Sequence, residues 1–261
     1  MDIRNTQLNL SKIFLFIFLF FLPFMIIVAN GFLIEYLKSF IIGILFCWVF
    51  RLPFLLYCSG YLWASSLSIF IANWHISLAS EPYIGSLVGD GSDDRAYANS
   101  ILNPIEGKAL TPYSQLLNFF SLRFLNFSDI SFYSLLSINC FFHALGASAI
   151  FKIIRKLNYG NFAERFSFFS YLFFPILLID GLTLFRDGII ASLISIFISI
   201  LITNKNIISF RLYLIIFSVC FVRLGSGLLL IISTFATWFF TIKSFFLNIK
   251  FLIFISLLLI T

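Results

Sequence analysis

The chain has 261 residues, of which 61% are hydrophobic and only 11% are charged. Soluble domains carry about 25% charged residues, so this composition excludes a water-soluble globule and predicts an integral membrane protein. The net charge of +6 comes from basic residues that lie between apolar runs, where they act as topology signals. The sequence has no basic patch interleaved with aromatic residues, so we predict no nucleic-acid partner.

The apolar runs predict an all-α fold, a polytopic transmembrane bundle of about eight to nine spans. A helix needs about 20 apolar residues to cross the hydrocarbon of a membrane. The run at 13–31 follows Arg4 and Lys12 and is too long for the core of a typical signal peptide, so we interpret it as an uncleaved first span. The predicted spans are 13–31, 36–51, 54–74, 130–151, 166–185, 188–204, 207–223 and 225–242, with 245–261 as an optional ninth.

One extended polar loop, 75–129, separates the third predicted span from the fourth. Within it, the stretch Tyr113 to Phe127 is apolar but carries Arg123, which predicts an amphipathic helix in the outer interface of the membrane. We find no internal repeat and no soluble second domain, so residues 1–261 are interpreted as a single integral membrane domain. Its last apolar run stops at Thr261, so either the chain ends at the membrane surface or it is a fragment of a longer protein.

The distribution of Lys and Arg predicts that the N-terminus lies in the cytoplasm, because basic residues are retained on that side. With this orientation ten basic residues lie inside and six lie outside, and the compact cluster at 152–156 is the strongest indication. The inner set is Arg4, Lys12, Arg51, Lys152, Arg155, Lys156, Arg165, Lys205, Arg211 and Lys243, and the outer set is Lys38, Arg95, Lys108, Arg123, Arg186 and Arg223. The polar loop and the distant Arg186, Asp187 and Arg223 then emerge on one outer flank.

The strongest candidate for chemistry is the segment GDGSDDRAYA, which concentrates carboxylates in a chain with only 11 acidic residues. Asp93 and Asp94 suit a catalytic role, because a carboxylate on an outer loop can act as a general base or as a hard oxygen ligand for a divalent cation. Tyr97 shares their face if this part of the loop is helical, so we predict that it contacts the substrate. The alternative is a solvated acidic turn formed by the Gly and Ser residues.

Arg186, Asp187 and Arg223 are predicted to bind the substrate on the same flank. The guanidinium group is a fork-shaped donor suited to phosphate, and a buried arginine is costly unless it is paired. The alternatives are structural. In them Asp187 caps the sixth span, Arg186 extends to the lipid headgroups, and Arg223 marks the end of a helix.

The other polar and sulphur-containing residues have structural interpretations. Asp180 is an acid near the end of the fifth span, behind the kink expected at Pro175, and His143 is a hydrogen-bonded packing residue. His75 and Glu81 are interpreted as loop residues without a role. The four cysteines lie in apolar runs without a CxxC or metal-ligand spacing, which predicts no structural disulfide.

Several motifs occur in the same order as in a known class of membrane enzymes. They are DDRAYA, then Pro104 and Pro112 before the amphipathic stretch, then INCFFHALGASAIFKIIRKL, YLFFPILLIDGL and Phe-Arg-Asp-Gly. Over roughly residues 80–200 the chain thereby resembles polytopic C-type-fold glycosyltransferases and the related Wzy/EpsG-like polysaccharide polymerases. The resemblance implies an acidic catalytic residue, which would be Asp93 or Asp94, and arginines that hold a lipid-linked phosphate, which would be Arg186 and Arg223.

The function implied is a glycosyltransferase or O-antigen-type polymerase of the bacterial cell envelope, multi-pass in the cytoplasmic (inner) membrane. Its partners would be membrane lipid and a polyprenyl-phosphate-linked sugar, whose sugar–phosphate bond supplies the energy. No nucleotide cofactor is expected, and a divalent metal ion at the carboxylates is the one cofactor considered. Two alternatives stay open: a transporter or flippase component for a lipid-linked or small substrate, and a non-catalytic membrane partner.

Overall fold

The computed structural model describes residues 17–80, 93–103, 110–124, 130–173, 184, 186–203 and 209–242. Within these ranges all regular structure is helical, as the composition predicts. The helices are α1 (Ile17–Ala29, π-helical as far as Phe21), α2 (Leu33–Phe50), α3 (Phe54–Ala79), α4 (Asp93–Leu102), α5 (Pro112–Phe119, continued by a π-turn at Phe120–Phe124), α6 (Phe132–Lys156), α7 (Asn161–Phe173), α8 (Arg186–Thr203), α9 (Phe210–Val222) and α10 (Leu224–Ile242).

Four of these helices, α2, α3, α6 and α8, are long and apolar enough to cross a membrane. Helices α1 and α9, and the part of α10 at Leu224–Thr237, are apolar but shorter, so only four of the eight to nine predicted spans meet the length requirement within the described ranges. These apolar helices indicate a membrane-associated protein. Helix α2 corresponds to the second predicted span. It is longer than the uncharged stretch at 39–50, because its first turns also include Glu35 and Lys38.

Helix α6 is the centre of the bundle, with every residue from position 134 to 149 buried. It begins with a capping box between Ser131 and Ser134, in which each side-chain oxygen accepts from the other residue's backbone N–H. Helices α2, α3, α7 and α8 pack around it. Small residues allow this close approach, since a Cβ added at Gly146 would lie only 2.5 Å from the Tyr171 hydroxyl oxygen.

Side-chain contacts show that α2 and α6 run in parallel. The hydroxyls of Ser39 and Ser137, near the beginnings of the two helices, are hydrogen-bonded at 2.5 Å. Near the other ends, Lys152 Nζ donates to the carbonyl oxygen of Phe50 at 3.2 Å. The short connection at 51–53 then reverses the chain into α3, which therefore runs antiparallel to both.

Helix α8 is also parallel to α6, and α9 returns antiparallel to it. The end of α8 at Thr203, the last turns of α6 at Lys152 and the start of α9 at Arg211 line one cavity. At the opposite end of the bundle, Arg223 follows α9 and contacts Asp187 in the first turn of α8. We call the end that contains Lys152, Thr203 and Arg211 the basic end, and the end that contains Asp187 and Arg223 the Asp187 end.

The chain between α3 and α6 begins and finishes at the Asp187 end, because α3 ends there and α6 begins there. The sequence predicted an extended loop from residue 75, but residues 75–79 belong to α3, and α4 and α5 follow. His75, interpreted as a loop residue, is only 3% exposed and lies within α3. The predicted start of the loop was therefore too early. The sequence has no helix-breaking residue between 75 and 79, so the helix continues to Ser80, where the backbone becomes left-handed.

The amphipathic helix predicted at Tyr113 to Phe127 is present as α5, although residues 125–127 lie outside the described part. One face packs into the bundle, where Leu117 is completely buried together with Ser114 and Ser121, whereas Phe119 and Leu122 are exposed. The ring of Phe120 lies 5.6 Å from that of Phe141, which is about 14 Å along α6 from its first residue. Neighbouring helices therefore cover this face, and the predicted position of the helix in the outer interface stays a prediction.

Candidate functional site

Asp187 and Arg223 form an ion pair at the Asp187 end. Arg223 Nη1 donates to Asp187 Oδ1 at 3.0 Å, so two antiparallel helices bring together residues that are 36 positions apart. The Arg223 side chain is 51% exposed and that of Asp187 is 52% exposed. Asp187 is the second residue of α8 and not its cap, although a carboxylate in the first turn still interacts favourably with the helix dipole. Arg223 also marks the end of α9, as the structural alternative predicted.

Arg186 is the first residue of α8 and lies directly beside this ion pair in the chain. Its side chain is partly exposed, but its Nε is buried and has no hydrogen-bond partner among the described residues. An unpaired buried donor costs about 1–3 kcal/mol, so an additional acceptor at this position would be stabilising. The arginine is thus an available donor at the same end as the ion pair.

The two candidate acids, Asp93 and Asp94, are the first two residues of α4. The positions of their side chains lie outside what the structure describes. Because the segment is helical, positions 93 and 94 share the helix face that carries Tyr97, as the sequence predicted for a helix. Tyr97 itself is directed towards the bundle, since it is only 7% exposed.

Tyr97 packs between helices, and its predicted contact with the substrate stays a prediction. Its ring meets that of Tyr113 edge to face, with 4.7 Å between the centroids. Tyr113 in turn donates from its hydroxyl to Asn139 Oδ1 of α6 at 3.0 Å, and both residues are buried. Ser100 of α4 also donates to Ser114 of α5 at 2.8 Å. These contacts fix the acid-bearing helix onto α5 and α6.

Helix α5 connects the two halves of the candidate site. It contacts α4, which begins with Asp93 and Asp94, and it also contacts α9, which ends before Arg223. The acidic helix and the ion pair therefore share a neighbour and lie at the same end of the bundle. Helix α5 thus links the start of α4 with the end of α9.

A polar relay at the same end was not predicted from the sequence. Asn73 Nδ2 donates to Asn30 Oδ1 at 3.0 Å, and the Tyr133 hydroxyl donates to Asn73 Oδ1 at 2.8 Å. The relay ties α1, α3 and α6 together, and the ring of Phe32 stacks on Tyr133 at 3.8 Å. The only sequence signal was the isolated Asn residues in apolar runs, where an amide needs a partner.

The structural interpretation of His143 is confirmed. It is buried, its Nε2 lies 3.2 Å from the Leu172 carbonyl oxygen, and its ring packs on that of Tyr171. All four cysteines are free thiols, in agreement with their sequence pattern. Asp180, Pro175 and Glu81 lie outside the described residues.

The described residues do not assemble a metal-binding set. They contain no group of three or more His, Cys, Asp and Glu side chains positioned to hold one ion. Of the described acids at this end, Asp187 is paired with Arg223, and Glu35 lies in the first turn of α2. We therefore derive no chemical step through a metal.

Comparison of the chain with protein-family models, curated proteins and solved structures finds no match. The resemblance to C-type-fold glycosyltransferases and Wzy/EpsG-like polymerases accordingly remains a prediction. The geometry itself offers two arginines at one end of the bundle, one with a buried free donor and one held by a carboxylate. Such a pair suits an anionic group with several acceptor oxygens, of which phosphate is the main biological example.

Proposed function

We propose that the protein is a membrane glycosyltransferase or polymerase of cell-surface polysaccharide or glycolipid assembly. It would use a polyprenyl-phosphate-linked sugar at the outer face of the bacterial cytoplasmic membrane. The observation that carries the proposal is the position of Arg186 and the Asp187–Arg223 pair at the end where the acidic segment leaves and re-enters the bundle. The acids and the phosphate-binding groups of one active site must lie on one side of the membrane.

The proposed topology has eight to nine spans, with the N-terminus in the cytoplasm and the Asp187 end outside. In its support, α2, α6 and α8 run in one direction and α3 and α9 in the other, and Arg51, Lys152 and Arg211 lie together at the opposite end. Basic residues are enriched on the cytoplasmic side of membrane proteins. The basic end would therefore be cytoplasmic and the Asp187 end external.

In the proposed reaction, Asp93 or Asp94 accepts the proton of an acceptor hydroxyl. The hydroxyl oxygen forms a bond with the anomeric carbon of the donor sugar, the bond from that carbon to the phosphate oxygen breaks, and the lipid phosphate leaves with the electron pair. Arg186 and Arg223 stabilise the negative charge that develops on the departing phosphate. Asp187 acts as a positioning residue, since it holds Nη1 of Arg223 and leaves the other guanidinium donors available.

The transporter alternative predicts charged residues near the middle of the spans. In the four helices of membrane-spanning length, every charged residue lies within six positions of a helix end. This distribution favours chemistry at a membrane surface over a charged path through the bundle. We expect that vesicles containing the purified protein take up no labelled substrate. Uptake would support the transporter alternative.

The base assignment is tested by replacing the acids one at a time in a polysaccharide-producing strain. We expect Asp93→Asn or Asp94→Asn to lower glycan output by about 100-fold or more, since positioned general bases contribute about 10²–10⁴-fold. Asp90→Asn is the matched control, with the same chemical change three residues earlier, and is expected to retain most of the output. Wild-type glycan from both single variants and from the double variant, at normal protein level, would refute the base assignment.

A further inference from the structure

The basic end of the bundle contains a cavity that the proposed chemistry does not use. Its volume is about 150 Å³, enough for several water molecules or one small polyatomic anion. Its walls come from four helices and one connection, and are formed by Phe50, Arg51, Lys152, Ile200, Thr203 and Arg211. Three cationic side chains from distant parts of the sequence thus surround one space.

These three cations lack acidic partners in the described part of the chain. No described carboxylate lies within salt-bridge distance of Arg51, Lys152 or Arg211, and the described ion pair is at the other end. The one described side-chain hydrogen bond among them joins Lys152 Nζ to the Phe50 carbonyl, which leaves most of the donors of the three groups unused. Like charges held close together repel one another, and two of the three, Lys152 and Arg211, are half-buried, so a bound anion would be stabilising.

The backbone has two further features at the cavity, one electrostatic and one conformational. Helix α9 begins beside it, and the N-terminus of a helix carries a partial positive charge and unpaired N–H groups. Arg51 ends α2 with φ of +52°, a left-handed conformation in which glycine is usual. The chain therefore accepts an unfavourable backbone conformation at a residue whose side chain lines the cavity.

We propose that this cavity binds one phosphate group through Arg51, Lys152 and Arg211. The phosphate belongs either to the headgroup of an anionic lipid or to a soluble phosphate compound, and the chemistry of recognition is the same. Basic pockets between spanning helices are typical sites for anionic headgroups, and the cavity lies at the ends of three such helices, α2, α6 and α8. This site is separate from the one at the Asp187 end and does not depend on the proposed transferase activity.

The test uses the purified full chain in nanodiscs of phosphatidylcholine. One series adds increasing phosphatidylglycerol and the other adds sodium diphosphate, and thermal unfolding is followed by tryptophan fluorescence. The cavity variant is Arg51→Gln/Lys152→Gln/Arg211→Gln. The matched control is Arg155→Gln/Lys156→Gln/Arg165→Gln, which removes the same charge from exposed residues that do not line the cavity.

We expect at least one phosphate probe to raise the unfolding temperature of the wild-type protein in a saturable way. Each cavity charge removed should weaken apparent binding about five-fold, so the triple cavity variant should bind about 100-fold more weakly, and the control about as the wild type. A response to phosphatidylglycerol alone identifies a lipid headgroup, and a response to diphosphate alone identifies a soluble ligand. No saturable response to either probe, or an equal loss in both triple variants, would overturn the proposal.

If the triple cavity variant does not fold, the exposed Arg51 and the half-buried Arg211 are replaced singly. Native mass spectrometry of these single variants then counts retained phosphatidylglycerol or diphosphate. The proposal expects one bound molecule in the wild type and in Arg155→Gln, and retention with an affinity about five-fold lower in Arg51→Gln and Arg211→Gln. Equal retention in all four proteins would contradict it.

Discussion

Replacing Asp187 by Asn separates the structural contribution of its ion pair from the proposed function. The pair has a good distance of 3.0 Å, but both side chains are about half exposed. Solvent screening and the entropy of ordering two side chains reduce exposed pairs to about 0.2–1 kcal/mol. For a chain of this size that corresponds to a fall of at most about 4 °C in the unfolding temperature.

The expected functional effect is much larger than this change in stability. A charge-assisted hydrogen bond contributes about 1.5–3 kcal/mol, so loss of the guanidinium in Arg223→Gln should lower glycan output about 10- to 150-fold. Arg223→Lys keeps the charge but not the fork of donors, so its output should be intermediate. Asp187→Asn should also lower output, since Arg223 is then no longer held in place.

A double-mutant cycle makes the reasoning refutable. If Asp187 acts only by positioning Arg223, then Asp187→Asn/Arg223→Gln should be no worse than Arg223→Gln alone. The assay is glycan output in a deletion strain, normalised to membrane-inserted protein. Independent, additive losses would contradict the positioning role of Asp187. Normal output from Arg223→Gln at normal protein level would contradict phosphate binding by this residue.

Two further predictions concern packing and topology. Gly146→Ala should destabilise the protein by about 1–3 kcal/mol in thermal unfolding, because the added Cβ would lie 2.5 Å from the Tyr171 hydroxyl oxygen. Gly225→Ala is the control and should not destabilise it, because the space around Gly225 is open. Equal effects of the two substitutions would contradict the α6–α7 contact. Both Ser80 and Asn158 are exposed, so each can be replaced by cysteine and labelled. The cysteine at position 80 should react with an impermeant thiol reagent in intact cells, and the cysteine at position 158 only after permeabilisation. The reverse pattern would place the proposed active site in the cytoplasm.

Much of the arrangement of the charged residues could be predicted from the sequence. The apolar runs and the positions of Lys and Arg placed Asp187 and Arg223 on one flank, and Arg51, Lys152 and Arg211 on the other. Both groupings are present at opposite ends of the bundle. They were predictable because each charge ends an apolar run, so the alternation of runs fixes the end at which it emerges.

The placement of α5 could not be predicted in the same way. An amphipathic pattern shows that one face of a helix is covered, but it does not show whether lipid or protein covers it. Buried hydroxyls add to the ambiguity, since Ser121 satisfies its own hydroxyl by donating to the Leu117 carbonyl at 2.8 Å and needs no partner from another helix. The ring of Phe120 and the Tyr113–Asn139 hydrogen bond are long-range contacts that have no signal in a local pattern.

The burial of α5 gives the candidate site its physical basis. Helix α4, which begins with Asp93 and Asp94, is fixed onto α5 by Tyr97 and Ser100, and α5 is itself packed against α6 and α9. A carboxylate and a guanidinium can act on the same bond only if rigid elements hold them in register, and α5 is the described element in contact with both helices. The function proposed for Asp93, Asp94 and Arg223 therefore depends on the packing of α5 against α4 and α9 as well as on the charged groups themselves.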